Sequence, residues 1–394
     1  MARMTAGVGA LRAGNGLGLG TDWRRALGVA LDGALAPLDG EAPDLLVLFA
    51  GAAYRQDYPR LLAEAADRTR ATEVAGCSAS GVIAGAREVE QEAAVAALAL
   101  RLPSGALLSV RHVASDEVAS SGLAGLPARA CHGLVVLADP FSTDVGRLIA
   151  TLERDYPGVP VVGGLASGFP GAHWTAVFHG AHVAEDGAVV IGLGGSVGLR
   201  PIVSQGCEPI GQPWTITDAR EHIVRSIGGR PAYQVLVDTI QALDPSVRGR
   251  VSGNLLVGLA MDEYRDEFRR GDFLIRNLIG IDPSSGAIAV AAQPTIGQTL
   301  QFQIRDARAA DAELRHMLEG VPGGTSAAAL LFACNGRGAG LFGGPDHDAR
   351  TVRDLLGPLP LAGLFCNGEI GPVGAATYLH GFTASLALIA PTGD

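Results

Sequence analysis

Residues 361–374 read Leu-Ala-Gly-Leu-Phe-Cys-Asn-Gly-Glu-Ile-Gly-Pro-Val-Gly, and residues 379–385 read Leu-His-Gly-Phe-Thr-Ala-Ser. An apolar run thus stops at a polar loop carrying a thiol (Cys366), an amide (Asn367), a carboxylate (Glu369) and, further on, an imidazole (His380). Thiol, imidazole and carboxylate can serve as nucleophile, base and orienting group, which makes Cys366 and His380 with Glu369 a candidate thiol hydrolase set. The plainer reading is a buried thiol filling apolar space and a carboxylate holding the loop's amides. A second such loop follows another apolar run at Cys334-Asn335-Gly336, with Arg337 next. A guanidinium pairs bidentately with a carboxylate, so Arg337 is either a clamp for an acidic ligand or one half of an ion pair. Upstream, residues 76–81 read Gly-Cys-Ser-Ala-Ser-Gly. Cys77, Ser78 and Ser80 either form a wall of the same site or make a turn that satisfies its own amides. The run is not Gly-x-Ser-x-Gly, so a nucleophile elbow is excluded.

These loops end the strands of a unit written three times. The first copy is an apolar strand from Asp44, an amphipathic stretch over 54–70, and a strand from Val74. Its second copy runs from Gly133 through a helix over about 143–155 to Val161, and its third from Ala328 through a helix over about 346–356 to Leu361. Leu45 to Val74, Leu134 to Val161 and Leu330 to Leu361 are offsets of 29, 27 and 31 residues. That length suits a strand–helix–strand crossover. Residues 76–81 superpose on 163–168. Stretches 174–204 and 273–305 read as antiparallel strands joined by turns at 185–187 and 282–286. In the first half these follow the crossover units, and in the second half they precede the single unit. The segment 207–217, with Pro209, Gly211 and Pro213, reads as a linker. Residues up to Gly20 are glycine-rich and read as flexible; a helix over 22–35 with Thr21 as its N-cap follows.

At 394 residues, with 48% hydrophobic and 18% charged side chains, the chain is globular and long enough for two domains. All 30 basic residues are arginine, which excludes Schiff-base chemistry and a phosphate-loop lysine. A net charge of −10 and only 5% aromatics argue against nucleic acid and anionic membranes as partners. The basic cluster from Arg265 to Arg276 alternates with acidic residues and reads as a solvated helical face. Five cysteines without a Cys-x-x-Cys fit free thiols in a reducing cytoplasm. The glycine-rich start supplies no adequate apolar h-region and no apolar run of about 20 residues is present, so neither a signal peptide nor a membrane span is expected. His179 and His182 with Glu185 straddle a hairpin and read as non-ligating. Asp346-His347-Asp348 reads as helix capping. The glycines of 192–198 precede no helix, which argues against a dinucleotide site.

Taken together, residues 332–338, 343–348, 363–374 and 379–385 resemble the C-terminal half of the FIST domain family, and residues 76–81 and 177–180 are similar to motifs of its N-terminal half. The resemblance spans roughly residues 40 to 390. It implies a stand-alone, bacterial-type sensory protein of the cytoplasm that binds a small ligand, such as an amino acid or another carboxylate metabolite, without turnover, and passes the signal to a protein partner. A haem-binding nitric-oxide sensor, with His380 as the iron ligand, is the alternative the family suggests; no other cofactor is expected. The expected architecture is α/β with some α+β character: two lobes with mixed sheets, built from strand–helix–strand units and antiparallel hairpins, with helices on the outer faces. The expected division is a 1–39 extension with one helix, a FIST N-like domain over 40–206, a linker over 207–225 and a FIST C-like domain over 226–394. The expected ligand contacts are Cys77, Ser78, Ser80, Asn335, Arg337, Cys366, Asn367, Glu369 and His380. Binding between or within the lobes would shift the populations of two lobe arrangements.

Overall fold

The computed structural model describes residues 3–4, 10–171, 173–264, 267–268, 271–324 and 326–392. Each of the three predicted crossover units is present as a parallel strand pair with its helix. Leu45–Gly51 pairs with Glu73–Ala79 across helix Tyr58–Thr69. Cys131–Ala138 pairs with Val161–Leu165 across helix Val145–Asp155, and Ala328–Cys334 pairs with Leu361–Cys366 across helix His347–Leu356. The apolar runs are continuous rather than alternating because both faces of these strands are buried. One face of each contributes to a common core containing Val47 and Phe49, Val135 and Leu137, and Leu330 and Phe332. Phe49 and Phe332 meet edge to face at 6.4 Å.

Each unit is part of a longer repeat. An opening strand precedes it: Arg12–Leu19, Ala106–Val113 and Val197–Ser204 in turn. A hairpin and a closing strand follow it, and the closing strands are Ala94–Arg101, Ala188–Gly195 and Ala384–Pro391. In each of the three sheets built on these units the closing strand lies between the opening strand and the first strand of the parallel pair. The hairpins do not stay at home. The first repeat's strand Gly81–Ala84 pairs with Leu361–Cys366 of the third. The third repeat's Glu369–Val373 pairs with Val161–Leu165 of the second, and the second repeat's Val177–His179 pairs with Glu73–Ala79 of the first. The exchange is cyclic, and each hairpin covers the open edge of a parallel strand from another repeat. A hairpin therefore follows the third unit as well, contrary to the expected asymmetry between the halves.

The exchange also fixes the division of the chain. One compact unit comprises residues 1–203 and 317–394, and the other residues 204–316, inserted in the chain between the third repeat's opening strand and its parallel pair. The expected boundary near 206 lies beside the break after residue 203, but the expected unbroken domain over 226–394 is divided after residue 316, because the last repeat completes sheets begun by the first two. The expected linker at 207–225 is mostly strand. Glu208–Arg220 pairs first with Thr299–Ile304 and then with Ile223–Ile227. It thereby closes a barrel that continues through Leu255–Ala260, Phe273–Asp282 and Ala287–Val290. Pro209, Gly211 and Pro213 flank a register break between Ile210 and Trp214; they mark a bulge in a strand rather than a linker. In the expected helical face from 265 to 276, residues 265, 266, 269 and 270 lie outside the described residues, and from Phe273 onward the chain is strand.

Of the glycine-rich start expected to be flexible, residues 1–2 and 5–9 lie outside the described residues, and from Arg12 the chain is strand. Arg12–Leu19 pairs along its whole length with Ala94–Arg101. A Cβ on Gly14, Gly16 or Gly18 would lie 2.3, 2.0 or 1.7 Å from the carbonyl oxygens of Ala34, Ala30 and Ala26. The glycines let the strand press against helix Trp23–Leu35, whose N-cap is Asp22 rather than Thr21. A second set of glycines occupies the same place in each repeat. Side chains on Gly76, Gly163 and Gly363 would meet the carbonyls of Leu48, Val136 and Leu331 at 1.9, 1.9 and 2.0 Å. We expect Gly163→Ala to lower unfolding free energy in denaturant by at least ~2 kcal/mol. Gly340→Ala, in a short helix where an added Cβ meets nothing within 4 Å, should be neutral or stabilising by under ~1 kcal/mol.

Candidate functional site

Four residues beyond each repeated glycine stand Ser80, Ser167 and Asn367. The parallel strands carry these three positions to one place, and hydrogen bonds join them across repeats. Ser80 Oγ donates to Asn335 Oδ1 at 2.6 Å, and Asn335 Nδ2 donates to Asn367 Oδ1 at 2.8 Å. Asn367 Nδ2 donates to the Ala166 carbonyl at 3.0 Å. Ser167 Oγ donates to the Phe365 carbonyl at 2.5 Å and accepts the Ser80 amide at 2.8 Å. Below this layer Ser78 Oγ donates to the Ser167 carbonyl and accepts the Ala176 amide.

Over these residues lies a hollow of about 570 Å³. Its floor includes Ser80, Asn335, Phe365 and Asn367. One wall is aromatic, formed by Phe141, Phe169 and His173, with Phe141 and His173 ring centroids 5.5 Å apart. Another contains Glu90 and Gln91. Phe141 and Phe169 are 50% and 61% exposed, so the wall is open to solvent. All the lining residues belong to the first compact unit. Of the candidate contacts, Ser80, Asn335 and Asn367 line the hollow. Cys77 and Ser78 are buried in strand Glu73–Ala79, and burial raises the Cys77 thiol well above its ordinary value.

Arg337 does not line the hollow. Only 1% exposed, it forms a two-pronged pair with Asp348, Nε to Oδ2 at 2.6 Å and Nη2 to Oδ1 at 2.9 Å. Burial opposes the charge on Asp348, but the guanidinium overrides it and holds the carboxyl at about 2. Beside this pair, Asp346 accepts the Glu88 amide at 2.7 Å, and Glu88 accepts the Ala349 amide at 2.9 Å. Burial and the neighbouring Asp348 push Glu88 up to about 7. These charges fasten the first repeat's hairpin to the third repeat's helix. Asp346 occupies the N-cap position in a left-handed conformation and makes no side-chain cap, contrary to expectation.

Cys366 and Glu369, both buried, form a separate group with the half-buried Cys334. Cys334 and Cys366 are register partners at the ends of parallel strands. Glu369 is fully buried; its Oε1 lies 3.4 Å from Cys366 Sγ and its Oε2 accepts the Thr383 amide at 2.9 Å. Burial pushes Glu369 up to about 8, Cys334 up to about 11 and Cys366 well above its usual value. A thiol so placed is a poor nucleophile. His380, the imidazole expected to serve a hydrolase or a haem, is buried with Nε2 2.9 Å from the Gly371 carbonyl. His179 and His182 are opposite one another in their hairpin, yet among the described residues no group of three or more potential ligands is placed to hold a metal ion.

Ser167 was visible in the sequence as the counterpart of Ser80. Phe141, Phe169, His173 and Glu90 carried no motif; their only signal was aromatic and proline residues clustered in loops of an aromatic-poor chain.

The FIST N domain model matches residues 44–230 and the FIST C domain model residues 232–372. The chain belongs to the FIST family. The floor and walls of the hollow draw on both matched segments, with Ser80 to His173 in the first and Asn335 to Asn367 in the second. This FIST protein is 40% identical over 384 residues to the uncharacterized protein Rv0628c of Mycobacterium tuberculosis H37Rv, covering 96% of this chain and 99% of that one. It is 39% identical over 386 residues to the uncharacterized protein Mb0898c of Mycobacterium bovis, covering 96% and 98%. A solved structure described as cyanuric acid hydrolase aligns with 98% of this chain and 100% of its own at a TM-score of 0.33 and 11% identity, a likeness that bears on no activity here. No helix among the described residues is long and apolar enough to cross a membrane.

Two measurements follow from the buried charges. Arg337→Met strands the Asp348 carboxylate and should cost about 3–5 kcal/mol in denaturant unfolding, with much of the loss recovered in Arg337→Met/Asp348→Leu. Glu369 has its folded pKa raised from an ordinary 4.5 to about 8, so the folded state holds the proton more tightly. Its contribution is fully present below about 4.5 and is lost as pH rises toward 8. Relative to Glu369→Gln, the wild type should lose stability across that window, with a slope of up to ~1.4 kcal/mol per pH unit. Parallel pH curves for the two proteins would contradict this assignment.

Proposed function

We propose that this FIST protein is a small-molecule-binding sensory module without turnover, and that the hollow where the three repeats meet is its ligand site. FIST domains are associated with ligand binding in sensory and signal-transduction proteins; the location and the absence of turnover are our own reading. The observation that carries it is that side chains from all three repeats line one solvent-reachable hollow of a size suited to a metabolite. Ser80, Asn335 and Asn367 are the proposed polar contacts. Binding rather than catalysis is favoured because the Ser80 hydroxyl donates to an amide oxygen, which cannot take up its proton. Cys366, with its raised thiol, is buried away from the lining.

A ligand bridging the strand ends would stabilise the junction between repeats, and a separate protein partner would read the altered surface. The signal here is a change in order or packing within the first compact unit, which requires the ligand to bind one state better than the other.

A thermal-shift screen of polar metabolites tests the site. A saturating ligand at about 100 times its dissociation constant should stabilise the fold by roughly 2.7 kcal/mol. Asn335→Leu and Asn367→Leu should each weaken that ligand by about tenfold or more, through loss of a buried polar contact, while retaining the wild-type circular dichroism spectrum. Unchanged affinity in both variants would remove the hollow from consideration, and product formation would remove the non-catalytic reading.

A further inference from the structure

Building on the hollow as a ligand site, we infer that it selects a flat molecule bearing a cationic nitrogen, such as an amidinium, guanidinium or arylammonium group, over a carboxylate. Three observations converge on this class.

First, the charge is of one sign. Glu90 supplies a carboxylate to the lining, and no arginine is among the described lining residues. The chain has no lysine, and Arg337, the nearest candidate by sequence, is committed to Asp348. An anion entering the hollow would meet Glu90 with no guanidinium to offset it.

Second, the floor has spent much of its hydrogen-bond donation on itself. The Ser80 hydroxyl proton goes to Asn335, and one amide proton of each asparagine goes to Asn367 or to the Ala166 carbonyl. A hydroxyl or amide oxygen keeps a second lone pair after accepting one bond. Three oxygens (Ser80 Oγ, Asn335 Oδ1 and Asn367 Oδ1) thus keep a lone pair against one remaining amide proton on each asparagine, a balance that leans toward a donor-rich ligand.

Third, Phe141 and Phe169 stand half exposed beside His173 on one wall. Their exposed faces suit a planar guest, and a cation over an aromatic ring gains further attraction. Glu90 is held in place because its Oε1 accepts the Ala339 amide at 2.8 Å, so its carboxylate is positioned before a guest arrives.

Benzamidinium, benzamide and benzoate share one shape and differ in charge. Titrating each into protein carrying ring-¹³C phenylalanine, with Phe141 and Phe169 assigned by Phe→Leu variants, reports affinity and location together. Benzamidinium should bind at least about tenfold more tightly than benzoate, with benzamide between them, the scale of a charge-assisted hydrogen bond gained against a charge repelled. Glu90→Gln, which can keep the bond to Ala339, should shrink the cation–anion gap at least about threefold. Phe141→Ala/Phe169→Ala should weaken all three. If benzoate matches benzamidinium, or the gap is unchanged in Glu90→Gln, while Phe141 and Phe169 still titrate, the charge selectivity is overturned and the hollow stands as a site. If neither ring responds to any of the three, both readings fall together.

Discussion

Every feature of the first compact unit depends on the cyclic exchange of hairpins. A parallel strand pair leaves one strand with an open row of amides and carbonyls, and each repeat covers that edge on another repeat's sheet rather than its own. No repeat can therefore complete its sheet without a hairpin from another. The inward faces of the three sheets share one core, with Phe49, Leu137 and Phe332 at equivalent places. Exchange and shared core together explain why residues 317–394 belong with residues 1–203, although a barrel of more than a hundred residues separates them in the chain.

The same constraint creates the candidate site. The exchanged hairpins begin where the second parallel strands end, so exchange pulls the three strand ends together. At that junction the chain places small polar residues rather than large apolar ones. Ser80, Ser167 and Asn367 bond across repeats and leave space above them. Just behind, the group of Cys334, Cys366 and Glu369 and the buried Arg337–Asp348 pair hold the third repeat's loops in position. Both asparagines of the floor directly follow a cysteine of that group, so the group and the exposed floor are neighbouring parts of the same two loops.

Buried charge and exposed polarity thus divide the labour at this junction. The Arg337–Asp348 pair and the buried Glu369 lie where water is excluded and fix backbone. The neutral amides and hydroxyls face the hollow. A ligand site that needs its strongest cation in a buried pair has none left to offer an anion, which is why the recognition inferred here turns toward donors and cations.

Much of this was legible in the sequence, and the limit is instructive. Three apolar runs, each followed by a helix-length polar stretch and a second apolar run, dictate three crossover units, because backbone periodicity and burial are local properties. The superposition of residues 76–81 on 163–168 also made Ser167 the counterpart of Ser80 in the repeat, and the fold brings the two side chains together. Ser80, Asn335 and Asn367 were recognisable as polar residues at strand ends. What sequence could not decide was which sheet each hairpin joins, since pairing partners lie one to nearly three hundred residues away and any open edge offers the same hydrogen bonds. Glycine was misleading for the same reason. At 14, 16 and 18 it reads as flexibility, but a helix packed at backbone distance makes it a requirement of close contact. Arg337 suffered likewise: its type announces a carboxylate partner, and only the tertiary fold, by bringing Asp348 to it in a buried place, determined that the partner is the protein's own.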